Sequence, residues 1–232
     1  SDTYVVAQLP FLFRDLAHFE QLLEDQSFLS EVNDKLARAG LVLIDAAFLG
    51  GMSGLVTTQR PVRTIEDMKG LRLRAMDRRD LVLIETFGAS GVQVAWEETP
   101  QALQTGIASG YLNPPLAPVL FGHGAYLNYF TDLRIAPAHR LIVASSKWIN
   151  SLGASERETV EAAFAAGRAA NRKWSQERLQ SDLQLLKDSG IETVEVSQEA
   201  RDTFRDVART AYGAYAPKSV IDHVLQIAGR YS

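Results

Sequence analysis

The stretch Pro61 to Met76, PVRTIEDMKGLRLRAM, indicates the fold class of the whole chain. It predicts a loop, one turn of helix around Ile65, a glycine that resets the backbone, and a short strand from Leu71 to Met76. Alternate residues of a strand point to opposite faces. Leu73 therefore faces one side of the predicted strand, and Arg74 faces the other.

Arg74 lies near the C-terminal end of that strand, where open parallel α/β sheets bind their ligands. Its planar and always charged guanidinium suits bidentate capture of a carboxylate or a phosphate. On spacing alone, Arg72 and Arg74 equally fit a solvated strand face. Both interpretations stay open at this point.

Composition excludes several classes of function. The chain has 232 residues, 46% of them hydrophobic, which suffices for one large domain or two small ones. Its net charge of -4, spread without long runs, predicts neither a nucleic-acid partner nor binding to an anionic membrane. No apolar run reaches the roughly 18 residues of a membrane helix, so no membrane insertion is predicted, and no signal-peptide pattern opens the sequence.

The residues for metal or covalent chemistry are missing or scattered. With no cysteine, thiol nucleophiles, disulfides and zinc–thiolate sites are excluded. The four histidines show no metal-binding spacing, and we expect no metal and no cofactor. The acid pairs Glu97–Glu98 and Asp77 with Asp80 are more typical of a solvated face or a helix cap than of general acid–base catalysis.

The N-terminal quarter predicts helices followed by a buried strand, which is typical of α/β proteins. After an extended start at Val5 to Leu9, Asp15 caps one helix, and a second helix ends before Gly40. The apolar run Leu41 to Phe48 predicts a parallel strand covered on both faces. The segment Gly50 to Gly54 then predicts a hinge or loop where the chain crosses between lobes.

The middle of the chain predicts alternating strands and helices. Asp77 is expected to cap a helix, and Val92 to Trp96 forms the next strand. Thr99 followed by proline predicts a helix start. Asn113 must be extended because a proline follows it.

The C-terminal part predicts one very long helix. Ser155 and Glu158 predict a capping box, from which the helix runs to about Ser189. Its apolar residues, which include Trp174 and Leu179, keep approximately a helical period. At about 1.5 Å per residue it would exceed about 45 Å, so we expect it to span two lobes as a spine.

A set of short motifs, taken together, resembles the DctP-type solute-binding proteins of TRAP (tripartite ATP-independent periplasmic) transporters. The order and spacing agree from residue 5 to the end of the long helix. The motifs are Leu9-Pro10-Phe11-Leu12-Phe13, Pro61 with Glu66-Asp67-Met68-Lys69-Gly70-Leu71-Arg72-Leu73-Arg74, Gly88-Ala89, Trp96-x-Glu98, Ala102-Leu103-Gln104-Thr105-Gly106 and Gly110-x-x-Asn113-Pro114.

The resemblance implies a two-lobed α/β fold of the periplasmic-binding-protein kind, type II-like. It divides the chain into part of lobe I (1–51), lobe II (52–140) and a return to lobe I (141–232) with the spine helix and the C-terminal helices. It also implies a strand–helix portion of lobe I ahead of Ser1, which we expect to be absent from this chain. The expected protein is a periplasmic monomer that delivers a small organic acid to TRAP membrane permease subunits.

The same resemblance implies the ligand-binding residues. Arg74 would clamp the ligand carboxylate, Asn113 would add a hydrogen bond, and Trp96 would lay its ring against the ligand. Asp77 and His139 fall near positions that face the cleft. A structural role remains open for three of these residues, since Trp96 also fits a core aromatic, Asn113 a turn residue and Asp77 an N-cap.

The ligand class and two other functions are weighed on the same residues. Some members of the family that this sequence resembles carry a second arginine soon after the glycine segment, whereas Gly50 to Gly54 contains none, so we favour a monocarboxylate or a hydroxy or keto acid. One alternative is a ligand-sensing module for a signalling partner. The other is a small-molecule enzyme on an α/β scaffold, which lacks a nucleophile–base pair in this sequence.

Overall fold

A computed structural model describes residues 2–231, without the side chains of Asp2, Leu179 and Gln180. The predicted packing of Leu179 therefore lies outside the described part. The helices are α1 (Asp2–Val6), α2 (Leu16–Glu24), α3 (Gln26–Ala37), α4 (Arg78–Thr86), α5 (Thr99–Gln104), α6 (Leu116–Leu120), α7 (Ser146–Ser151), α8 (Ala154–Asp188), α9 (Gln198–Arg209) and α10 (Lys218–Ala228). The strands are β1 (Leu41–Met52), β2 (Gly54–Thr57), β3 (Arg72–Ala75), β4 (Ser90–Gln93), β5 (Gly110–Asn113), β6 (Tyr129–Thr131), β7 (Pro137–Ser145) and β8 (Glu192–Val194).

The larger unit is built on a six-stranded mixed sheet in the order β4-β3-β5-β2-β6-β8. Strand β3 runs parallel to β4 and β5, while β2 is antiparallel to both β5 and β6. Two apolar clusters cover the sheet, one around Leu73, Phe87 and Phe204, the other around Tyr111 and Phe130. The short helical turn at Ile65–Met68 and the strand after it form as predicted.

The smaller unit consists of a two-stranded sheet and the helices packed on it. Strand β1 pairs with β7 in antiparallel register, with Phe48 opposite His139. Its core joins the N-terminal helices to α10 through residues such as Phe19, Phe28 and Ile227. The prediction of a parallel strand at Leu41 to Phe48 was wrong, because β1 pairs antiparallel with β7. This partner lies about a hundred residues later in the chain, so no local pattern indicates the direction of pairing.

The chain crosses from the smaller to the larger unit without a loop. Strand β1 continues through Gly50 and Gly51 to Met52, and only Ser53 separates it from β2. Gly50 to Gly54, predicted as a hinge or a loop, therefore lies almost entirely within strands. Gly50 has a φ of +100°, and a side chain on Gly54 would clash with the backbone oxygen of Thr131. These glycines therefore serve close packing inside strands.

Helix α8 is the 35-residue spine, about 50 Å long at the rise of an α-helix. It contacts β1 in its middle and packs Leu186 into the cluster beneath the larger sheet. Its N-cap is Gly153, whose N–H donates to Glu156, so the predicted capping box at Ser155 was wrong. The helix starts earlier because Glu156 already satisfies that free N–H.

Three further local predictions differ from the structure. The predicted extended start at Val5 to Leu9 is instead the end of α1 and a turn. Trp96 begins a 3₁₀ turn and does not end β4. Thr99 is the first residue of α5 after Glu98, and its hydroxyl donates to the carbonyl of Ala95 and caps nothing.

The C-terminal segment is shared between the two units. Strand β8 pairs with β6, and α9 packs Phe204 and Ala208 on the larger sheet, whereas α10 returns to the smaller core. This differs from the predicted division, which assigned all of 141–232 to lobe I. None of the described helices combines the length and the apolar character that crossing a membrane requires.

Candidate functional site: a cavity between the two units

A cavity of about 620 Å³ lies between the two units and receives side chains from both. The larger unit contributes residues of β3, α4 and β5, and the smaller unit contributes residues of β7. Helix α8 adds Trp174 and Arg178. All five sequence-predicted residues line this cavity: Arg74, Asp77, Trp96, Asn113 and His139.

Arg74 is a largely buried cation in the cavity wall, with 7% of its surface exposed. Strand alternation puts Leu73 into the core and leaves Arg74 on the opposite face. Its Nε donates to the carbonyl of Val94 at 2.9 Å, which fixes the side chain. In the described part of the chain, no carboxylate lies within 4.0 Å of this guanidinium, and its terminal nitrogens have no protein acceptor.

The charge of Arg74 is held in a partly desolvated setting. Burial lowers the pKa of Arg74, and the nearby carboxylates of Asp80 and Glu97 act in the opposite direction. An arginine remains charged throughout the physiological range. A cation that is buried and only partly compensated attracts an anion more strongly than one in water.

Trp96 joins the cavity wall to the aromatic core behind it. Its ring lies 5.3 Å from the guanidinium carbon of Arg74, within the range of a cation–π contact. It also meets the rings of Tyr111, Phe121 and His123 at centroid distances of 5.6, 5.0 and 5.0 Å. Core packing and exposure to the cavity, which the sequence left as alternatives, therefore coexist in this residue.

Asn113 ends β5 next to the crossing strand. It is opposite Gly54 in the register of β2 and is extended before Pro114, as predicted. Its side-chain amide makes no hydrogen bond to any described residue. It therefore presents both a donor and an acceptor to the cavity.

Asp77 has a structural role that occupies both carboxylate oxygens. Its Oδ1 accepts from the backbone N–H of Arg79 and of Asp80, which makes it the N-cap of α4 as predicted. Its Oδ2 pairs with the guanidinium of Arg79 at 2.5 Å. Burial alone would raise the pKa of Asp77, but these hydrogen bonds and the positive charge of Arg79 lower it. This carboxylate is a weak candidate for direct ligand binding.

His139 is mainly a core residue with one edge on the cavity. Its Nδ1 donates to the carbonyl of Pro137 at 2.8 Å, and its ring packs on Phe19 and Tyr4. Burial lowers the pKa of His139, so the ring is neutral at physiological pH. Its Nε2 is buried without a hydrogen-bond partner among the described residues.

Sequence reasoning missed several polar residues of the cavity. Asp80 lies on α4 near Arg74, accepts from Met76 N–H at 2.8 Å, and has a pKa raised by burial. Asp80 lies three residues after the N-cap Asp77, and an acid at this position indicates that its carboxylate turns back towards the end of β3. Arg140 and Arg178 also line the cavity, but nothing local in the sequence indicates that β7 and α8 reach this place.

No metal-binding arrangement accompanies these residues. Across residues 2–231, histidine, aspartate and glutamate side chains form no group of three or more that could hold an ion. The cavity combines the fixed guanidinium of Arg74, the ring of Trp96 and the free amide of Asn113 with several apolar side chains. Such an arrangement suits binding of a small organic anion.

Comparison with known proteins identifies the family. A model of the family described as bacterial extracellular solute-binding protein, family 7 (DctP), matches residues 1–218. The chain belongs to this family. The sequence resemblance to DctP-type proteins and the two-lobed α/β fold are thereby confirmed.

Curated relatives are similar over most of the chain. A solute-binding protein of Chromohalobacter salexigens is 29% identical over 199 residues, covering 84% of this chain and 58% of the relative. The C4-dicarboxylate-binding periplasmic protein DctP of Rhodobacter capsulatus is 23% identical over 93% of this chain and 64% of its own. The chain spans about three fifths of the length of the first curated relatives it matches.

Two crystal structures share the fold closely. The TRAP periplasmic solute-binding protein of Shewanella oneidensis, with bound succinate, has a TM-score of 0.89 at 21% identity, covering 100% of this chain and 75% of that one. The sugar acid binding protein DctPAm of Advenella mimigardefordensis, in complex with galactonate, has a TM-score of 0.89 at 24% identity, covering 99% and 75%. At these identities, the likeness shows the fold alone.

Proposed function

We propose that this chain captures a small organic acid in the cavity between its two units, as the solute-binding subunit of a TRAP transporter. Arg74 binds the ligand carboxylate through its terminal nitrogens. Trp96 and Asn113 contact the remainder of the ligand. The protein works outside the cytoplasm and delivers the bound acid to membrane permease subunits. The protein acts as a monomer and binds without turnover.

The observation that carries this proposal is the state of Arg74. Its Nε is held by Val94, while its two terminal nitrogens have no carboxylate partner in the described residues. A guanidinium fixed in this way presents two parallel N–H groups, which match the geometry of a carboxylate. Two other arginines of this cavity are paired, Arg79 with Asp77 and Arg178 with Asp182 at 2.7 Å. Arg140 has no carboxylate within 4.0 Å among the described residues, but it is exposed, and its Nη1 donates to the carbonyl of His139 at 3.0 Å.

Arg74 alone cannot hold a ligand at micromolar affinity. Hydrogen bonds to a charged group contribute about 1.5–3 kcal/mol each, whereas a micromolar dissociation constant corresponds to about 8 kcal/mol. The remainder comes from the apolar wall, from Trp96 and Asn113, and from closure of the two units over the ligand. Leu49, Leu112 and Ile135 are among the apolar residues of that wall.

A monocarboxylate, or a hydroxy or keto acid, fits the charges best. The carboxylate of Asp80 acts on the charge of Arg74, so it would repel a second anionic group placed beside the first. One of its oxygens accepts from Met76 N–H, and the other can accept from a ligand hydroxyl. Succinate and galactonate, found in the similar proteins of Shewanella and Advenella, are both organic acids.

Thermal-shift screening against a library of organic acids tests the proposal. The library includes succinate, galactonate and D-glucuronate together with hydroxy and keto monocarboxylates. At least one acid should raise the melting temperature of the protein, and Arg74→Ala should abolish that rise. Arg72→Ala is the matched control, because Arg72 lies on the same strand but is exposed and outside the cavity wall.

Two laboratory results and one genomic observation would contradict the proposal. One is an undiminished shift in Arg74→Ala, which would move the ligand away from this arginine. The other is chemical conversion of the acid, detected by NMR while the acid is incubated with equimolar protein. Such conversion would favour an enzyme. An adjacent gene for a kinase, in place of one for a permease, would favour a sensing module.

A further inference from the structure

A second cavity, of about 330 Å³, lies between the segment before α2 and helix α9. Its wall is unusual in charge. Four arginines line it, and none of the described lining residues is a carboxylate. The arginines are Arg14, Arg134, Arg201 and Arg205.

Nearby acids compensate only part of this positive charge, and they do so from outside the wall. Three of the four guanidiniums each have a carboxylate neighbour, in the pairs Arg14–Asp15 at 3.0 Å, Arg134–Asp132 at 3.1 Å and Arg205–Asp202 at 2.7 Å. For Arg201, no carboxylate among residues 2–231 lies within 4.0 Å. Its Nη2 donates instead to the backbone carbonyl of Asp132 at 3.1 Å.

Two guanidinium donors are buried there without a hydrogen-bond acceptor. The Nε atoms of Arg201 and Arg205 are inaccessible to solvent and have no hydrogen-bond partner among the described residues. Asp206 Oδ1 lies 3.5 Å from Arg205 Nε, close enough for charge attraction but not aligned as a hydrogen bond. Buried donors without acceptors are rare and unfavourable, and a bound ion or water is one of the explanations for them.

The backbone around this cavity is strained on both sides. Phe11 and Arg134 have φ values of +58° and +54°, the two left-handed conformations of non-glycine residues in the described chain. Both line the cavity, and the N–H of Phe11 donates to the carbonyl of Ile135 at 2.6 Å. Strain of this kind clusters at binding sites, where the surrounding structure maintains it.

We propose that this second cavity binds a small multivalent oxyanion, with two or more carboxylate or phosphate groups. Arg201 and Arg205 of α9 hold one group, and Arg14 and Arg134 hold another on the facing wall. Guanidinium forks match the oxygens of both kinds of group. The volume lies at the lower end of the range for small-molecule sites. The site is separate from the Arg74 cavity and does not depend on the function proposed for it.

Isothermal titration calorimetry of the whole chain with citrate and with inorganic pyrophosphate, at low ionic strength, tests this assignment. One saturable event is expected, weakened about tenfold or more in Arg201→Gln and in Arg205→Gln. Arg72→Gln removes the same charge from an exposed arginine elsewhere and should change the affinity less than about twofold. Arg74→Ala should likewise leave this event unchanged, which separates it from acid binding in the first cavity.

Circular dichroism and melting temperature establish that each variant is folded. If Arg201→Gln fails to fold, Arg205→Gln carries the test. Three results would overturn the assignment: no saturable heat with either anion, an equal loss in Arg72→Gln, or a loss in Arg74→Ala with binding retained in the α9 variants.

Discussion

At the scale of single residues, the contact between Arg74 and Trp96 shows how one side chain orders another. The guanidinium carbon lies 5.3 Å from the indole centroid, and Val94 fixes its Nε. A long flexible arginine loses rotamer freedom when it binds a ligand. Here the ring and the carbonyl restrict it beforehand, which lowers the entropic cost of binding.

Trp96→Ala should therefore weaken binding of the acid identified by thermal shift by about five- to tenfold, since cation–π contacts contribute about 0.5–2 kcal/mol. Trp96→Phe should lose less, because a ring remains beneath the guanidinium. Calorimetric dissociation constants check this. The control is Trp148→Ala, which removes an exposed tryptophan of α7 that is outside the cavity wall. An unchanged constant in Trp96→Ala would limit Trp96 to core packing.

At the scale of elements, helix α8 replaces a neighbouring strand along one stretch of β1. The side chain of Asn171 accepts from Phe48 N–H at 2.8 Å and donates to Phe48 C=O at 3.0 Å. Ser175 adds a hydrogen bond to Gly50 C=O at 2.9 Å. The spine helix is thus attached to β1 just before the chain crosses to the larger sheet.

Asn171→Ala should lower the free energy of unfolding by about 2–4 kcal/mol, because it leaves the N–H and the C=O of buried Phe48 without partners. Urea denaturation followed by circular dichroism measures the change. Gln176→Ala alters an exposed position of the same helix and should stay within about 0.5 kcal/mol of the wild type. If Asn171→Ala changed the free energy of unfolding as little as Gln176→Ala, water would satisfy the N–H and C=O of Phe48 as well as Asn171 does.

At the scale of the whole molecule, Asp25 joins the N-terminal helices α2 and α3 to the last described residues. It is the N-cap of α3, and its Oδ2 binds Arg230 at 3.1 Å and the hydroxyl of Tyr231 at 2.8 Å. Burial alone would raise the pKa of Asp25, but hydrogen bonds from Ser27, Phe28 N–H and Tyr231, and the charge of Arg230, hold it well below its ordinary value.

A carboxylate with a depressed pKa stabilises the fold above its unfolded pKa of about 3.9, and this contribution is lost as the pH falls towards the folded value. Asp25→Asn should therefore reduce the free energy of unfolding by about 1–3 kcal/mol at pH 7 and by less at pH 3. Denaturant titrations at both pH values test this. Asp34→Asn, at an exposed position of α3, should show no difference at either. If the difference in free energy of unfolding between the wild type and Asp25→Asn were the same at both pH values, the charge of Asp25 would not contribute to stability.

Much of the local structure and the family could be predicted from residues close together in the chain. The helical turn at Ile65–Met68, the alternation in β3 and the caps Asp15 and Asp77 depend on neighbours within a few positions, so the sequence indicates them directly. The five candidate residues line one cavity as expected, and their role in binding stays a prediction.

By itself, the sequence determined these local elements and the family. Only the tertiary structure decided that β1 pairs antiparallel with β7, that its glycines lie inside strands, and that four arginines gather at a second cavity. These features join residues far apart in the chain, such as Leu41 with Ser145, Gly54 with Thr131 and Arg14 with Arg201. Their partners are chosen by packing and by the hydrogen-bonding needs of buried backbone, which no local pattern encodes.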